Sequence, residues 1–280
     1  MADKIRMFFR LLGTYGKMDL MWFLRDTKYC LLQIITDIIS AGAAMAGVFV
    51  LAGRFGGIGG LTQDQLLFML GYTMLGDGVF SLFFIGYNAG QISRTIGRGQ
   101  MDHCMIQPVP LWMQLVTGGF SPVSGSSILI CGVALTAYAL GRLELAVTLG
   151  WVMLLVLSVG ASVMVFLAWV FLLSCIAFWA PVAAEESASL VHEMFGTLKR
   201  YPLGGMGMGW QAVFCSVLPV GITGWFPSLW LLGDSQAPMV PAWTFMMASA
   251  FGLMAVLVFR KGMNHYATGG SPRYSGFGHR

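Results

Sequence analysis

The chain has 280 residues, 57% of them hydrophobic and 10% charged, with a mean hydropathy of +0.74. Soluble domains carry about 25% charged residues, so this composition excludes an ordinary soluble enzyme and predicts an all-α polytopic membrane protein. The net charge of +4 is no nucleic-acid signal, because the basic residues sort by membrane side rather than into a patch.

Residues 1–30 set Lys4, Arg6, Arg10, Lys17, Arg25 and Lys28 among Phe8, Phe9, Leu11, Leu12, Leu20, Met21, Trp22 and Leu24. This is a basic amphipathic segment, predicted to lie at the membrane interface with its basic side toward anionic headgroups. It lacks the clean apolar core and cleavage site of a signal peptide. Gly13-Thr14-Tyr15-Gly16-Lys17-Met18 is too short for a phosphate loop, and Met18 stands where Ser or Thr would bind magnesium.

Six transmembrane helices are predicted over 31–260, at roughly 31–52, 66–92, 113–140, 147–179, 206–224 and 239–260. Pro122 falls near the start of the third and Pro219 interrupts the fifth. At ~1.5 Å per residue the fourth is too long for one crossing and too short for two, so its last turns are expected to protrude into the cytoplasm. The polar tail 262–280 is Gly/Ser-rich and expected to be disordered. With both termini cytoplasmic, only Arg54 and Arg142 of the 16 basic residues fall outside, and Lys199 and Arg200 count inside. The positive-inside rule favours that orientation. The halves 1–140 and 141–280 show no repeat, which weakens an inverted-repeat transporter.

The five cysteines form no CxxC and read as free thiols. There is no GxSxG and no Walker motif, and His192-Glu193 lacks the second His of a zincin. If ATP is used, another chain hydrolyses it. Two carboxylates, Asp37 and Asp77, lie inside predicted spans, where an ionisable residue is a functional candidate by default. Asp37 is about two turns from Lys28 and is expected to pair with a basic group near the inner interface. Asp77, between Gly76 and Gly78, either lines a pathway or makes a structural hydrogen bond. Asn88 is a further pathway candidate, within the GxxxG of Gly86 to Gly90.

The segment 181–202 reads as a cytoplasmic or interfacial helix, with Glu185 and Glu186 early and Lys199 and Arg200 late, ended by Tyr201-Pro202. It is either a solvated connector or a functional contact. Pro219 and Pro227 predict a kink and a short helix dipping back at the outer face, with Trp225, Phe226 and Trp230 in an aromatic belt. The most informative polar connection is 94–110. It holds Arg94 and Arg98, a Gly99-Gln100-Met101-Asp102 turn and a Pro108-Val109-Pro110 stop.

Taken together, these stretches resemble the permease subunits of type-2 ATP-binding-cassette (ABC) exporters, in the paired-permease branch that includes viologen-type exporters. The resemblance covers nearly the whole chain. It is carried by the amphipathic first helix, Thr62-Gln63-Asp64-Gln65, Ile96 to Asp102 with Gln107-Pro108, Tyr201-Pro202, and Leu218-Pro219 followed by Trp225 to Leu229. The chain departs from the family where Gln107-Pro108 replaces Arg-Pro and where Gly59-Gly60 replaces Gly-Trp.

The resemblance implies a membrane subunit of an ATP-driven exporter, working as a dimer with an identical or sister permease in the bacterial inner membrane, of the kind used in multidrug efflux. It implies no directly bound cofactor, with ATP and Mg on a separate ABC ATPase dimer, and no nucleic-acid partner. The 94–110 loop would be the coupling helix, with Arg94, Arg98, Gly99, Gln100, Asp102, Pro108 and Pro110 as its functional residues. The rival expectation is a stand-alone ion-coupled transporter or channel using Asp77.

Overall fold

The computed structural model describes residues 2–55, 57–84, 89–143, 145–233 and 240–269, which form helices and connections with no strand ladder among them. Helix α1 (Ala2–Arg25) leaves Phe9, Met21 and Leu24 exposed, as an amphipathic surface helix does. A bend at Asp26 leads into α2 (Thr27–Phe55). Asp19 fastens α1 in place. It accepts hydrogen bonds from the Val123 N–H at 2.7 Å, the Ser124 N–H at 3.2 Å and the Ser124 hydroxyl at 2.6 Å.

Helix α3 (Gln63–Phe84) opens with a capping box. The Gln65 N–H donates to Thr62 Oγ1 at 3.4 Å, and the Thr62 N–H donates to Gln65 Oε1 at 3.0 Å. A 3₁₀ turn at Ala89–Gln91 and three short helices follow: α4 (Ile92–Gly97), α5 (Met101–Ile106) and α6 (Leu111–Thr117). The third span expected from residue 113 is therefore broken. Residues 118–126, with Pro122 among them, are not helical, and α7 (Ser127–Leu143) begins after them.

Helices α3 and α7 meet along a seam of small residues. A Cβ on Gly78 would overlap the Leu129 backbone, and one on Gly132 would come within 2.8 Å of Leu75 N. Such close approach is how helices associate where lipid offers no hydrophobic drive. Of the GxxxG at Gly86 to Gly90, Gly86 lies outside the described residues, and a Cβ on Gly90 would meet the Phe84 carbonyl oxygen.

Helix α8 (Leu149–Ser174) is capped by Thr148, whose hydroxyl accepts from the Trp151 N–H at 3.2 Å, and it ends in a 3₁₀ turn at Cys175–Phe178. Helix α9 (Pro181–Leu198) has Pro at its first position, where no N–H is needed. Its start lies beside α4, since a Cβ on Gly97 would sit 3.2 Å from the Pro181 carbonyl oxygen. Beyond its other end, Pro202 and Gly204 pack against Gly59 in the α2–α3 connection. The α9 path thus runs the length of the bundle, buries Phe195 and sets it 4.9 Å from Phe166 and 5.3 Å from Trp169, ring to ring.

This corrects the expected order. The connector predicted at 181–202 is the long element. The span predicted at 206–224 is α10 (Met208–Ser216), nine residues, followed by a turn through Pro219 and a 3₁₀ turn at Gly221–Thr223. Nine residues rise about 14 Å, short of a ~30 Å hydrocarbon core. Pro219 and its neighbours stop α10, and α11 (Trp225–Leu231) carries Pro227 in its first turn, where it costs no hydrogen bond. Helix α12 (Val240–Gly269) closes the fold. The tail expected to be disordered from 262 is helical through Gly269, and 270–280 lies outside the described residues.

Among the described residues, three helical stretches are long and apolar enough to cross a membrane: Gln63–Phe84, Leu149–Phe178 and Pro241–Gly269.

Candidate functional site

The connection between α3 and α7 is built as three short helices joined by two stiff corners. At the first corner the Gln100 N–H donates to the Thr95 carbonyl at 2.9 Å and the Gly99 N–H to the Ile96 carbonyl at 3.0 Å. This pair of bonds is a Schellman motif, which needs a left-handed residue. Gly99 supplies it with φ +64°. At the second corner Gln107 is extended (φ −71°, ψ 144°), as a residue before proline must be, and Pro110 leads into α6. The Gln114 amide ties α6 back, donating to the Cys104 carbonyl at 2.9 Å and the Val109 carbonyl at 2.7 Å.

The two faces of this connection differ. Ile92, Ile96 and Met101 are fully buried in a small core with Cys175, Phe178 and Tyr266. Asp102 does not cap α5. Its Oδ1 accepts from the Tyr266 hydroxyl on α12 at 2.9 Å. At the far end of α5, Ile106 is 80% exposed and Met105 45%. Gln107 and Pro108 are exposed beside that tip, Arg98 and Gln100 are exposed at the base of α5, and Arg94 Nη1 donates to Gln91 Oε1 at 3.0 Å. Burial pushes the Cys104 thiol above its ordinary pKa.

A second cluster lies inside the bundle. Asp77 on α3 forms an ion pair with Lys199, just past the end of α9, and Arg200 Nη2 lies 3.7 Å from its other oxygen. Lys199 is 4% exposed, and its Nζ sits 4.7 Å from the centre of the Phe166 ring. The Gly224 backbone presses on the same point, where a Cβ would meet the Lys199 carbonyl oxygen at 2.7 Å and Thr73 Cγ2 at 2.8 Å.

A family model described as ABC-2 family transporter protein matches residues 38–270. The chain belongs to the ABC-2 transporter family. No curated protein and no solved structure matches it. Membership makes the chain an integral membrane transport component without catalysis of its own, from a family that generally works with an ABC ATPase.

In this ABC-2 protein the expected site residues separate into two groups. Arg94, Arg98, Gly99, Gln100, Asp102, Pro108 and Pro110 share the one connection described above. Asp77 is distant from them in the α3–α9 cluster. Asp37 meets neither group. Its carboxylate accepts from Gln33 Nε2 at 3.0 Å and from the Ser127 hydroxyl at 3.3 Å, which replaces the expected pairing with an inner basic group. Asn88 lies outside the described residues.

Sequence reasoning missed Tyr266, Gln114 and Asp19. Tyr266 was legible, because the apolar spacing of α12 continues past 260 through Met263. Asp19 and the loop that donates to it stand 104 positions apart, and no local pattern joins them. Lys199 and Arg200 were seen but placed on the wrong side of the problem, as surface charges.

Proposed function

We propose that this ABC-2 protein is the membrane-spanning subunit of an ATP-driven exporter in the bacterial inner membrane. It works as a dimer with a second permease and is driven by a separate ABC ATPase dimer, which carries the ATP and Mg. The chain crosses the membrane six times, in α2, α3, α7, α8, α9 and α12, with both termini cytoplasmic. Residues 206–233 then form a re-entrant cap on the outer side. On this path Lys199 and Arg200 leave the inner count, and the outer side still holds only Arg54 and Arg142.

The observation that carries the coupling role is the contrast along α5. Its base is locked, with Met101 fully buried, and its tip is bare, with Ile106 80% exposed. A short stiff element with a fixed base and an exposed apolar tip suits insertion into a cleft on a moving partner. Gly99 sets the angle of α5, and Pro108 and Pro110 keep its exit from folding away. Arg98 and Gln100 flank the contact, and the bond from Tyr266 to Asp102 passes displacement of the tip to α12.

The reading as a stand-alone ion-coupled transporter needs Asp77 to bind a proton or cation. Two cations already face that carboxylate, and they oppose a third. The test is to purify the tagged chain from its native membrane in mild detergent and crosslink from a cysteine placed at Ile106. The Cys104 thiol, raised by burial, reacts more slowly than an exposed one. An ABC ATPase subunit in stoichiometric amount, crosslinked at 106, supports the proposal. A chain that comes alone overturns it, and ion-gradient transport without any ATPase would favour the rival.

A further inference from the structure

Asp37 is a carboxylate without a cation. Among the described residues the ion pairs join Arg142 to Asp64, and Lys199 and Arg200 to Asp77, and none reaches Asp37. Its own donors are neutral: Gln33 Nε2 at 3.0 Å and the Ser127 hydroxyl at 3.3 Å. A carboxylate offers about four lone-pair sites, so acceptor capacity remains. On the six-span path α2 has 29 residues, where about 20 cross hydrocarbon. With Arg54 outside, its first turns lie at headgroup depth, and Asp37 comes about one turn below them. An ionisable side chain at such depth has a charged partner or faces a cavity.

Asp37 lines a cavity of about 260 Å³ at the junction of α1 and α2, together with Trp22, Tyr29, Gln33, Ser81 and Ser124. Tyr29, Gln33 and Asp37 recur every four residues, which stacks them on one face of α2. Trp22 stands across the Asp26 bend, its ring centre 6.0 Å from that of Tyr29. These two rings are the exposed part of the lining, and Ser81 and Cys30 are its buried part. Two further acceptors belong to it. Gln33 gives Nε2 to Asp37, which leaves Oε1, and Ser124 gives its hydroxyl proton to Asp19 at 2.6 Å, which leaves its oxygen lone pairs. Arg25 and Lys28 flank the bend, exposed and outside the lining. Met21, Leu24, Leu32 and Ile35 are exposed on the same two helices, so the mouth opens among apolar side chains.

We propose that Trp22, Tyr29, Gln33, Asp37 and Ser124 form a binding site for the primary ammonium head of a membrane amphiphile. Such a head has three donors, and Asp37, Gln33 and Ser124 supply three acceptors. The Trp22 and Tyr29 rings add cation–π attraction. The cavity is smaller than the ~300–1,000 Å³ of sites that enclose a whole small molecule, so it takes the head and leaves the chains in the bilayer. A quaternary head has no N–H to give, and an anionic head meets the Asp37 charge. An aminophospholipid and a single-chain alkylamine share the chemistry that fits. The site rests on the transport reading above for the depth of α1 and α2. It adds a ligand held apart from α5 and from the Asp77 cluster.

The full-length protein in maltoside micelles is titrated with dioleoyl phosphatidylethanolamine, its N-acetyl derivative and dioleoyl phosphatidylcholine, and lipid adducts are followed by native mass spectrometry. Saturable binding of the ethanolamine lipid is expected, at least tenfold tighter than that of the other two. Asp37→Asn removes a charge-assisted hydrogen bond, so it should weaken the ethanolamine lipid about tenfold or more and leave the N-acetyl lipid unchanged. Trp22→Leu, at an exposed position of the mouth, should weaken it severalfold. It keeps the test open if Asp37→Asn fails to fold, as judged by size exclusion. Dodecylamine added as a competitor decides the source. Displacement assigns the site to any ammonium amphiphile and its absence to the two-chain lipid, and the site stands in both cases. Equal binding of the three lipids, or unchanged ethanolamine-lipid binding in both Asp37→Asn and Trp22→Leu, overturns it. Since the titration involves no ATPase, its failure is distinct from failure to recover an ATPase partner.

Discussion

Residues 92–117 and 219–231 sit at opposite ends of the bundle, and both break a helical path with glycine and proline. They differ in where their apolar side chains go. In the first, Met105 and Ile106 point away from the bundle, 45% and 80% exposed. In the second, Ile222, Trp225 and Leu231 are 0%, 7% and 5% exposed. Hydrophobic side chains are normally left bare only singly or where a partner covers them. The 219–231 segment has found its partner within its own chain, with Gly224 against Thr73 and Lys199. The 92–117 segment keeps one face for something else. The same local chemistry therefore serves a plug at one end and a contact at the other.

That contrast can be broken from either side. The largest effect is expected at the plug. Lys199→Met leaves Asp77 facing Arg200 at 3.7 Å without a hydrogen-bonded partner. Breaking a buried pair costs about 3–5 kcal/mol, so thermal unfolding should show severe destabilisation, and adding Asp77→Asn should recover much of it. Next comes Gly224→Ala, which pushes a methyl against the Lys199 carbonyl and Thr73. Overpacking costs about 1–3 kcal/mol, and an unchanged melting midpoint would mean the segment is not seated as described.

At the contact end the effects on stability shrink. Gly99→Ala forces an L-residue to φ +64°, at about 1–2 kcal/mol, with Gly99→Asn milder. The smallest is Ile106→Ser, within about 0.5 kcal/mol of the parent. Yet it should lower recovery of the ATPase in a pull-down more than Gly224→Ala does among chains that remain folded. A pull-down indifferent to Ile106 would erase the distinction between the two segments.

How far the sequence reached follows the same line. Helix ends were legible wherever one residue type forces them. Gly99, Pro108 and Pro110 mark the corners of the 92–117 connection, and Thr62 and Gln65 mark the cap of α3. The helical membrane character was legible from composition. The order of long and short elements after residue 180 was not. Helix α9 carries Glu185, Glu186 and Glu193, with Lys199 and Arg200 just beyond it, so its window reads as a surface helix. What makes it a bundle element is tertiary: Phe195 stacks on Phe166 and Trp169, and Lys199 pairs with a carboxylate 122 positions away. The 206–224 window is more apolar but broken by Pro219, and hydropathy alone preferred it. Asp37 shows the same limit, since Ser127 stands 90 positions from it.

The latch made by Asp19 has a consequence for how the chain is made. Its three hydrogen-bond donors are encoded 104 and 105 positions later. At about 5–20 residues per second of synthesis, α1 leaves the ribosome roughly 5–20 s before the loop that will hold it exists. The first helix is thus a waiting piece, fastened only when the Val123–Ser124 turn arrives.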